Sequence, residues 1–286
     1  MASIMHPNPL KPWVDTLREL GVMGLVRESA AEAPATQTTI PSAIALQKNE
    51  SRAPAVPKPI RLAPVTTAST QKQPAPVPGY VPPDDPVGNP HPEVWNSAKD
   101  LNSLASCIQG CLACPLGPGR FRFVFGEGDP KARLMFIGEG PGKDEDQQGR
   151  PFVGKAGELL DRMIGSIGLR RDQVYIANVV KCRPPDNRTP TQQESQACLG
   201  YLKRQIELID PSVIVTLGAT PLRELLGVQT GITKVRGSWQ RLELHRAVPV
   251  MPTFHPAYVL RQYTNEVRGA VWADLKAARA WLEEHP

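Results

Sequence analysis

The sequence lacks any apolar run of the roughly 18 residues that a membrane-spanning helix requires, so no membrane interaction is predicted. Its amino terminus, Met-Ala-Ser-Ile-Met-His-Pro, has neither the basic start nor the apolar core of a secretory signal. Aromatic residues make up only 6% of the chain, and residues 1–100 contain no cysteine. These absences predict a soluble, intracellular protein.

The composition divides the chain near residue 100. Residues 1–100 hold 17 of the 31 prolines and nine acidic against nine basic side chains. Residues 101–286 hold all five cysteines and the whole net charge of +5. Because domains usually span about 100–200 residues, we expect one domain over 101–286, preceded by a long leader.

Two segments make up the leader. Residues 1–29 place apolar side chains at helical spacing, which predicts a short helix that docks on the domain. A second interpretation is a tethered helix that binds a protein partner through residues 1–28. Residues 30–100 are rich in proline and alanine and cannot bury enough apolar surface to offset their conformational entropy. This stretch is predicted to be a disordered linker.

The second part alternates short apolar runs with helical patterns, which is typical of α/β domains. The runs predict strands at 134–137, 174–180, 213–217 and 248–254. Helical patterns lie between the strands, as in parallel sheets. We therefore expect a three-layer α-β-α sandwich with a central, parallel four-stranded sheet.

A loop of unusual composition follows each predicted strand. The loops read Gly-Glu-Gly-Pro-Gly from 138, Lys-Cys-Arg-Pro-Pro from 181, Gly-Ala-Thr from 218 and His-Pro-Ala-Tyr from 255. In parallel sheets, ligands bind beyond the carboxyl ends of the strands. We expect the four loops to meet at one edge of the sheet and form the functional site.

The segment 149–156 differs from a phosphate-binding P-loop by one residue. Ala156 replaces the Ser or Thr whose hydroxyl would hold magnesium, and no strand directly precedes the segment. A nucleotide hydrolase is therefore not expected.

The five cysteines suggest a metal site, because disulfides are rare in intracellular proteins. Cys111 and Cys114 form a CxxC pair, and Cys182 and Cys198 follow with 15 residues between them. This spacing is long for a zinc knuckle but is compatible with four-thiolate ligation of an iron–sulfur cluster. Zinc remains the alternative. Cys107, Cys111 and Cys114 also match a radical-SAM spacing, but that interpretation requires a longer barrel and gives the other two cysteines no role.

Six motifs stand in order between residues 107 and 282. They are Gly-Glu-Gly-Pro-Gly at 138–142, Gly-Arg-Pro-Phe-Val-Gly-Lys-Ala-Gly at 149–157, Asn-Val-Val-Lys-Cys-Arg-Pro-Pro at 178–185, Asn-Arg at 187–188, Arg-Gly at 236–237 and His-Pro-Ala-Tyr at 255–258. Together they resemble a family-four uracil-DNA glycosylase, the iron–sulfur branch of the uracil-DNA glycosylase superfamily. The resemblance implies hydrolysis of the bond between uracil and deoxyribose in single- or double-stranded DNA, which leaves an abasic site. The alternative is a non-catalytic or redox-sensing iron–sulfur DNA-binding module of the same fold.

The resemblance also implies a structural [4Fe–4S] cluster and its ligands. These ligands are Cys111, Cys114, Cys182 and Cys198, while Cys107 is left as a spare thiol.

The resemblance further implies a pocket that receives the flipped uracil. Phe152 is suited to stacking on the base, and the amide of Asn178 presents both a donor and an acceptor to its Watson–Crick edge. His255 is suited to donating to the negative charge that develops on uracil as the bond breaks. The backbone amides of Gly140 and Gly142 are predicted to add donors to the same oxygen.

The sequence does not single out the residue that activates the attacking water. In another branch of the superfamily the third position of the first motif is an aspartate with this role, whereas this chain has Gly140. Glu139, Glu145 and Asn187 are the candidates.

DNA binding requires contacts to phosphates, which the surplus of basic residues can supply. The basic residues in or beside the loops are Arg150, Lys155, Arg183, Arg188, Arg236 and Arg261. We expect these residues to bind DNA, and we expect a monomer in the cytoplasm, associated with the nucleoid.

Overall fold

The computed structural model describes residues 90–286. The predicted N-terminal helix, its protein partner and most of the predicted linker lie outside the described residues. Within 90–286, no helix is both long and apolar enough to span a bilayer.

A six-stranded sheet forms the centre of the described part. The strands in chain order are β1 (Glu127–Gly128), β2 (Leu134–Gly138), β3 (Tyr175–Asn178), β4 (Val213–Leu217), β5 (Gln240–Glu243) and β6 (Ala247–Thr253). Their order in space is β1-β3-β2-β4-β6-β5. The four inner strands are parallel, and the two edge strands are antiparallel to their neighbours.

The predicted parallel four-stranded sheet is confirmed as the inner part of this mixed sheet. β2, β3 and β4 are buried along their whole length, and most of β6 is buried. Strands covered on both faces form continuous apolar runs, which is why the sequence reveals them. The edge strands were not predicted, because β1 has two residues and β5 buries only Leu242.

Helices cover both faces of the sheet, which confirms the three-layer architecture. In chain order they are α1 (Pro92–Asn96), α2 (Leu101–Ile108), α3 (Leu116–Gly119), α4 (Lys143–Gln148), α5 (Lys155–Ser166), α6 (Gln192–Ile209), α7 (Ala219–Leu226), α8 (Ile232–Val235), α9 (Pro256–Arg261) and α10 (Asn265–Glu284), with 3-10 turns at Arg171–Gln173 and Pro185–Asn187. One face packs against α2, α6 and α7, and the other against α5 and α10. Side chains alternate between the two cores along each strand.

The folded part begins before residue 101, where the sequence predicted it to start. The prediction extended the linker to residue 100, but α1 lies within that stretch. The Trp95 ring packs edge-on against Tyr201 of α6, with 5.1 Å between ring centroids, and Ala98 is buried. The folded part therefore includes these residues.

Candidate active site

The loops after the inner strands meet at one edge of the sheet, as predicted. Glu139, after β2, accepts a hydrogen bond of 2.6 Å from the hydroxyl of Thr220, at the start of α7. A Cβ on Gly218, after β4, would lie 3.2 Å from the Cβ of His255, after β6. These contacts join the ends of three inner strands.

Phe152 and Asn178 converge on the same edge, above Gly138. A Cβ on Gly138 would lie 2.4 Å from Asn178 Oδ1 and 2.5 Å from Phe152 Cζ, so only glycine fits between them. The Phe152 ring lies 5.7 Å from the His255 ring, between centroids. Its φ of 51° is rare for a bulky residue, and strained backbone of this kind is concentrated at functional sites. The three predicted pocket residues therefore lie together.

One polar atom in this cluster has no hydrogen-bond partner. Asn178 is 2% exposed, and its Oδ1 accepts no hydrogen bond within the described residues. A buried acceptor left unpaired costs about 1–3 kcal/mol. Such atoms are rare in native proteins, and each calls for an explanation. An N–H donor on a bound ligand would satisfy Asn178 Oδ1.

His255 is held as a neutral hydrogen-bond donor. It caps α9, and its Nδ1 accepts the backbone N–H of Ala257 at 3.1 Å. This bond places the ring proton on Nε2. Burial, together with the positive charge of Arg261, lowers the pKa of His255 to about 4. The imidazole is therefore uncharged at neutral pH, with Nε2–H available to a ligand.

Glu145 has a structural position rather than the predicted catalytic one. Its Oε2 accepts the N–H of Gly142 at 3.0 Å, and its Oε1 accepts those of Val153 and Gly154 at 2.9 and 3.0 Å. Both oxygens are therefore engaged in joining the first loop to the loop that contains Phe152. The N–H of Gly142 is engaged by Glu145 and is therefore not directed at a ligand, contrary to the prediction.

The other water-activating candidates lie in different environments. Asn187 is exposed, and its Oδ1 accepts a hydrogen bond of 2.8 Å from Arg183. Glu139 is half-buried beside the pocket, and Thr220 contacts only its Oε2. Gly140 has no room for a side chain, because a Cβ would lie 2.6 Å from Val180 Cγ2. The geometry favours Glu139.

Two of the basic residues predicted to bind DNA are engaged by buried carboxylates. Arg188 donates to both oxygens of Glu194, at 2.7 and 2.8 Å. Arg236 binds both oxygens of Asp274, which also accepts the Thr253 hydroxyl at 2.7 Å. Both carboxylates are 2% exposed. These ion pairs tie both arginines to the fold, and their contact with DNA stays a prediction.

The other four predicted basic residues remain candidates for DNA contact. Lys155 and Arg261 are exposed at the start of α5 and the end of α9, and Arg183 is half-buried. Arg150 forms an ion pair of 2.7 Å with Glu127, but its side chain is 58% exposed. Exposed ion pairs contribute little stability, so Arg150 can exchange this partner for a phosphate.

Four buried cysteines lie in the core between the sheet and α6. They are Cys111, Cys114, Cys182 and Cys198, all with free thiols. Burial raises the pKa of the Cys182 thiol to about 12, and the neighbouring thiols of Cys114 and Cys111 act in the same direction. Burial also raises the pKa of Cys198, again with contributions from Cys114 and Cys182. Cys182 thus neighbours Cys111 and Cys114, and Cys198 neighbours Cys114 and Cys182, whereas Cys107 is partly exposed.

Polar groups surround these sulfur atoms. The guanidinium of Arg120 lies 3.6 Å from Cys182 Sγ, the backbone N–H of Ala113 lies 3.4 Å from Cys111 Sγ, and the hydroxyl of Tyr201 lies 3.3 Å from the same atom. Within residues 90–286, no group of three or more His, Cys, Asp and Glu side chains is arranged to hold a metal ion.

Lys181 lies between the pocket and the cysteines, and no role was predicted for it. Its side chain is fully buried, and Nζ donates to the Asn178 carbonyl at 2.9 Å and to Gln205 Oε1 at 2.5 Å. Burial lowers its pKa to about 7. The sign of a buried lysine in the sequence is its position after two valines and directly before Cys182.

We expect Lys181→Met to destabilise the protein strongly. It leaves two buried acceptors, the Asn178 carbonyl and Gln205 Oε1, without their donor, at a cost of about 1–3 kcal/mol each. At about 2–4 °C per kcal/mol, thermal unfolding followed by circular dichroism shifts down by roughly 5–20 °C. Lys131→Met, at an exposed lysine, is the matched control and shifts little. Equal midpoints for the two variants would contradict the structural role.

Comparisons with known proteins agree with the resemblance found in the motifs. Residues 125–276 match the family model of the Uracil DNA glycosylase superfamily. A Type-4 uracil-DNA glycosylase of Thermotoga maritima is 49% identical over 185 residues, which is 64% of this chain and 95% of that protein. Type-4 uracil-DNA glycosylases of Sulfurisphaera tokodaii and Archaeoglobus fulgidus are 46% and 44% identical, covering 63% and 62% of this chain and 83% and 91% of theirs.

Proposed function

Because this chain belongs to the uracil-DNA glycosylase superfamily, we propose that it is a monofunctional uracil-DNA glycosylase: it flips uracil out of DNA and hydrolyses its N-glycosidic bond, leaving an abasic site. The observation that supports this most directly is the unpartnered, buried Oδ1 of Asn178, beside Phe152 and His255. An acceptor at that position selects a base with an N–H on its Watson–Crick edge.

Asn178 accounts for the choice of uracil over cytosine. Uracil N3 carries a hydrogen and donates to Oδ1, whereas N3 of cytosine is an acceptor. Cytosine would place two acceptors against each other and leave both unpaired, at about 1–3 kcal/mol for each group. Phe152, fixed by its backbone conformation, supplies the flat surface on which the base stacks.

His255 supplies the hydrogen bond that strengthens during the reaction. As the glycosidic bond breaks, negative charge develops on uracil O2 and N1, and Nε2–H of the neutral imidazole donates to O2. A donor already in place needs no reorganisation at that moment, which is why such groups lower barriers effectively. The amide of Gly140 is the remaining backbone candidate for the same oxygen.

Glu139 positions the attacking water in this proposal. Thr220 engages its Oε2 and leaves Oε1 to orient a water molecule towards the sugar. Gly140 replaces the aspartate of another branch, so Glu139 acts from the adjacent position.

The four buried cysteines hold a [4Fe–4S] cluster in this proposal, which supplies a rigid cross-link between segments of the fold. Each ligand of such a cluster binds a different iron atom, so the thiols need not converge on one point as zinc ligands do. Four buried thiols, one CxxC pair and two later cysteines, suit four-thiolate ligation of such a cluster, and a four-thiolate zinc ion is the alternative. The N–H donors of Arg120 and Ala113 suit bound thiolates.

The substrate in this proposal is uracil-containing DNA, single- or double-stranded. Arg150, Lys155, Arg183 and Arg261 contact its phosphates. The protein acts as a monomer in the cytoplasm, associated with the nucleoid.

The test is strand scission at a single uracil. Purified protein is incubated with a labelled oligonucleotide, single-stranded or with uracil opposite guanine, and abasic sites are then cleaved with alkali. We expect scission by the wild type and its loss in Asn178→Ala, with unchanged iron content. A folded, iron-containing wild type that binds the DNA without scission would favour the non-catalytic binding module instead.

A further inference from the structure

A large apolar side chain stands exposed beside the proposed uracil site. Phe121 is 65% exposed, more than the other exposed large apolar residues of the described part, which are Val94, Leu260 and Tyr263. The guanidinium of Arg122 lies over its ring, 5.6 Å from the centroid. These two residues are called the Phe121–Arg122 patch below.

The backbone beneath this patch is fixed. Asp146 Oδ1 accepts the N–H of Phe121 at 2.9 Å and that of Arg122 at 3.3 Å, and Asp146 is 4% exposed. The preceding residue, Arg120, donates to the carbonyls of Cys111 and Gln109 at 2.5 and 2.9 Å. The backbone that carries the exposed Phe121 ring is therefore held by hydrogen bonds to buried and half-buried groups.

The patch borders the loops that form the uracil site. Asp146 follows Glu145, whose carboxylate binds the backbone of Val153 and Gly154 beside Phe152. A Cβ on Gly149 would lie 3.4 Å from Arg122 Cδ, and the next residue is Arg150, a candidate for phosphate contact. A DNA strand that enters the site along this loop meets the Phe121–Arg122 patch.

We propose that the Phe121–Arg122 patch binds the DNA strand that flanks the flipped uracil, with an unpaired base stacked on Phe121 and a phosphate on Arg122. The inference rests on the proposed function, because it assumes a DNA substrate. The exposed ring can stack on a base and the neighbouring guanidinium can bind a phosphate, so the patch suits both parts of a nucleotide. Every base can stack on an aromatic side chain, so this contact does not depend on the DNA sequence. An apolar protein partner would leave the Arg122 charge without a counter-charge.

The proposal also sets a strand preference. A base within a duplex is stacked on both sides and cannot use the Phe121 ring, whereas an unpaired base can. The patch should therefore strengthen binding to single-stranded DNA more than binding to a duplex.

The experiment measures the Kd of the full chain for an oligonucleotide without uracil, both single-stranded and as a duplex. It also measures KM and kcat for the uracil-containing single strand. Because stacking contributes about 1–3 kcal/mol per base, Phe121→Ala raises Kd and KM about 5- to 150-fold. We expect kcat to stay constant. Phe121→Trp retains the stacking surface, so its affinity stays within about twofold of the wild type. Val94→Ala, at an exposed residue of α1, is the control.

Arg122→Ala tests the phosphate contact separately. Loss of one phosphate contact lowers the slope of log Kd against log salt by about 0.7 for single-stranded DNA. We expect Arg122→Ala to change kcat little, because Arg122 lies outside the pocket.

Three outcomes would overturn the inference. They are an unchanged Kd in Phe121→Ala, an equal loss in Phe121→Ala and Phe121→Trp, and an equal loss on single-stranded and duplex DNA. Failure of the proposed function is distinguishable, because it shows as absence of scission by the wild type whatever the Phe121 variants bind. A partner other than DNA at this patch would leave every DNA measurement unchanged.

Discussion

His255→Ala lowers kcat for uracil excision about 10²–10³-fold, the usual effect of removing one preorganised donor to a developing anion. KM changes little, because the interaction strengthens mainly in the transition state. Single-turnover scission of the uracil oligonucleotide measures this loss directly.

A matched variant separates this chemistry from helix capping. His255→Ala also removes the acceptor for the Ala257 N–H, which alone costs about 1 kcal/mol of stability. Asn is a good N-cap, so His255→Asn keeps the cap while it removes the imidazole. We expect kcat to fall in both variants, with a lower unfolding temperature only for alanine. Wild-type kcat in His255→Asn would contradict the proposed role.

The lowered pKa of His255 sets the expected pH dependence. Below a pKa of about 4 the ring gains a proton on Nδ1, where Ala257 already donates, so the imidazole leaves its position. His255 keeps one protonation state from about pH 9 to pH 5, so the imidazole contributes no inflection to the pH profile of kcat in that range, and its protonation lowers kcat as the pH approaches 4. An inflection near 6.5, the ordinary pKa of histidine, that is absent from the profile of His255→Asn would show that the ring is not held as described.

Cys198→Ala is expected to remove the cluster and much of the stability of the fold. Without a cluster, replacing one buried thiol by alanine would cost little, because free cysteine behaves as a small apolar residue. With a cluster, the change removes a ligand, and the loss exceeds about 4 kcal/mol, which lowers the unfolding midpoint by roughly 10 °C or more. Iron and sulfide content, visible absorption and thermal unfolding are the measurements.

Cys107→Ala is the control for the cysteine experiment, because Cys107 is partly exposed and lies outside the proposed ligand set. It should keep the iron content and absorption of the wild type. Equal iron content in the two variants would remove Cys198 from the ligand set. One zinc per chain without visible absorption would favour the zinc alternative.

The parts of this structure that the sequence predicts are those with a strong local signal. β2 and β4 are fully buried and therefore form uninterrupted apolar runs, and their parallel order places the following loops at one edge. Because Asn178 and His255 both stand at the carboxyl ends of parallel strands, the sequence alone predicts that they lie close together. The edge strand β5, which buries only Leu242, has no such signal.

Roles that depend on a distant partner were not predictable. Arg236 and Arg261 both lie near the loops, but only the fold shows that Arg236 faces Asp274, 38 residues away. Glu145 is a catalytic candidate by sequence, because sequence position does not distinguish a catalytic acidic residue from a structural one in a loop near a ligand site. Its three backbone donors, one in the first loop and two at Val153 and Gly154, identify it as a structural residue.

The Asp274 carboxylate bears on what the sequence motifs say about a shortened chain. Asp274 belongs to α10, follows every sequence motif, and binds Arg236 and Thr253, two residues before His255. A reading frame that stops before α10 would retain all six motifs and every proposed pocket residue. It would nevertheless lose the support of the strand that presents the imidazole. Motif content alone would therefore overstate the activity of a chain truncated before α10.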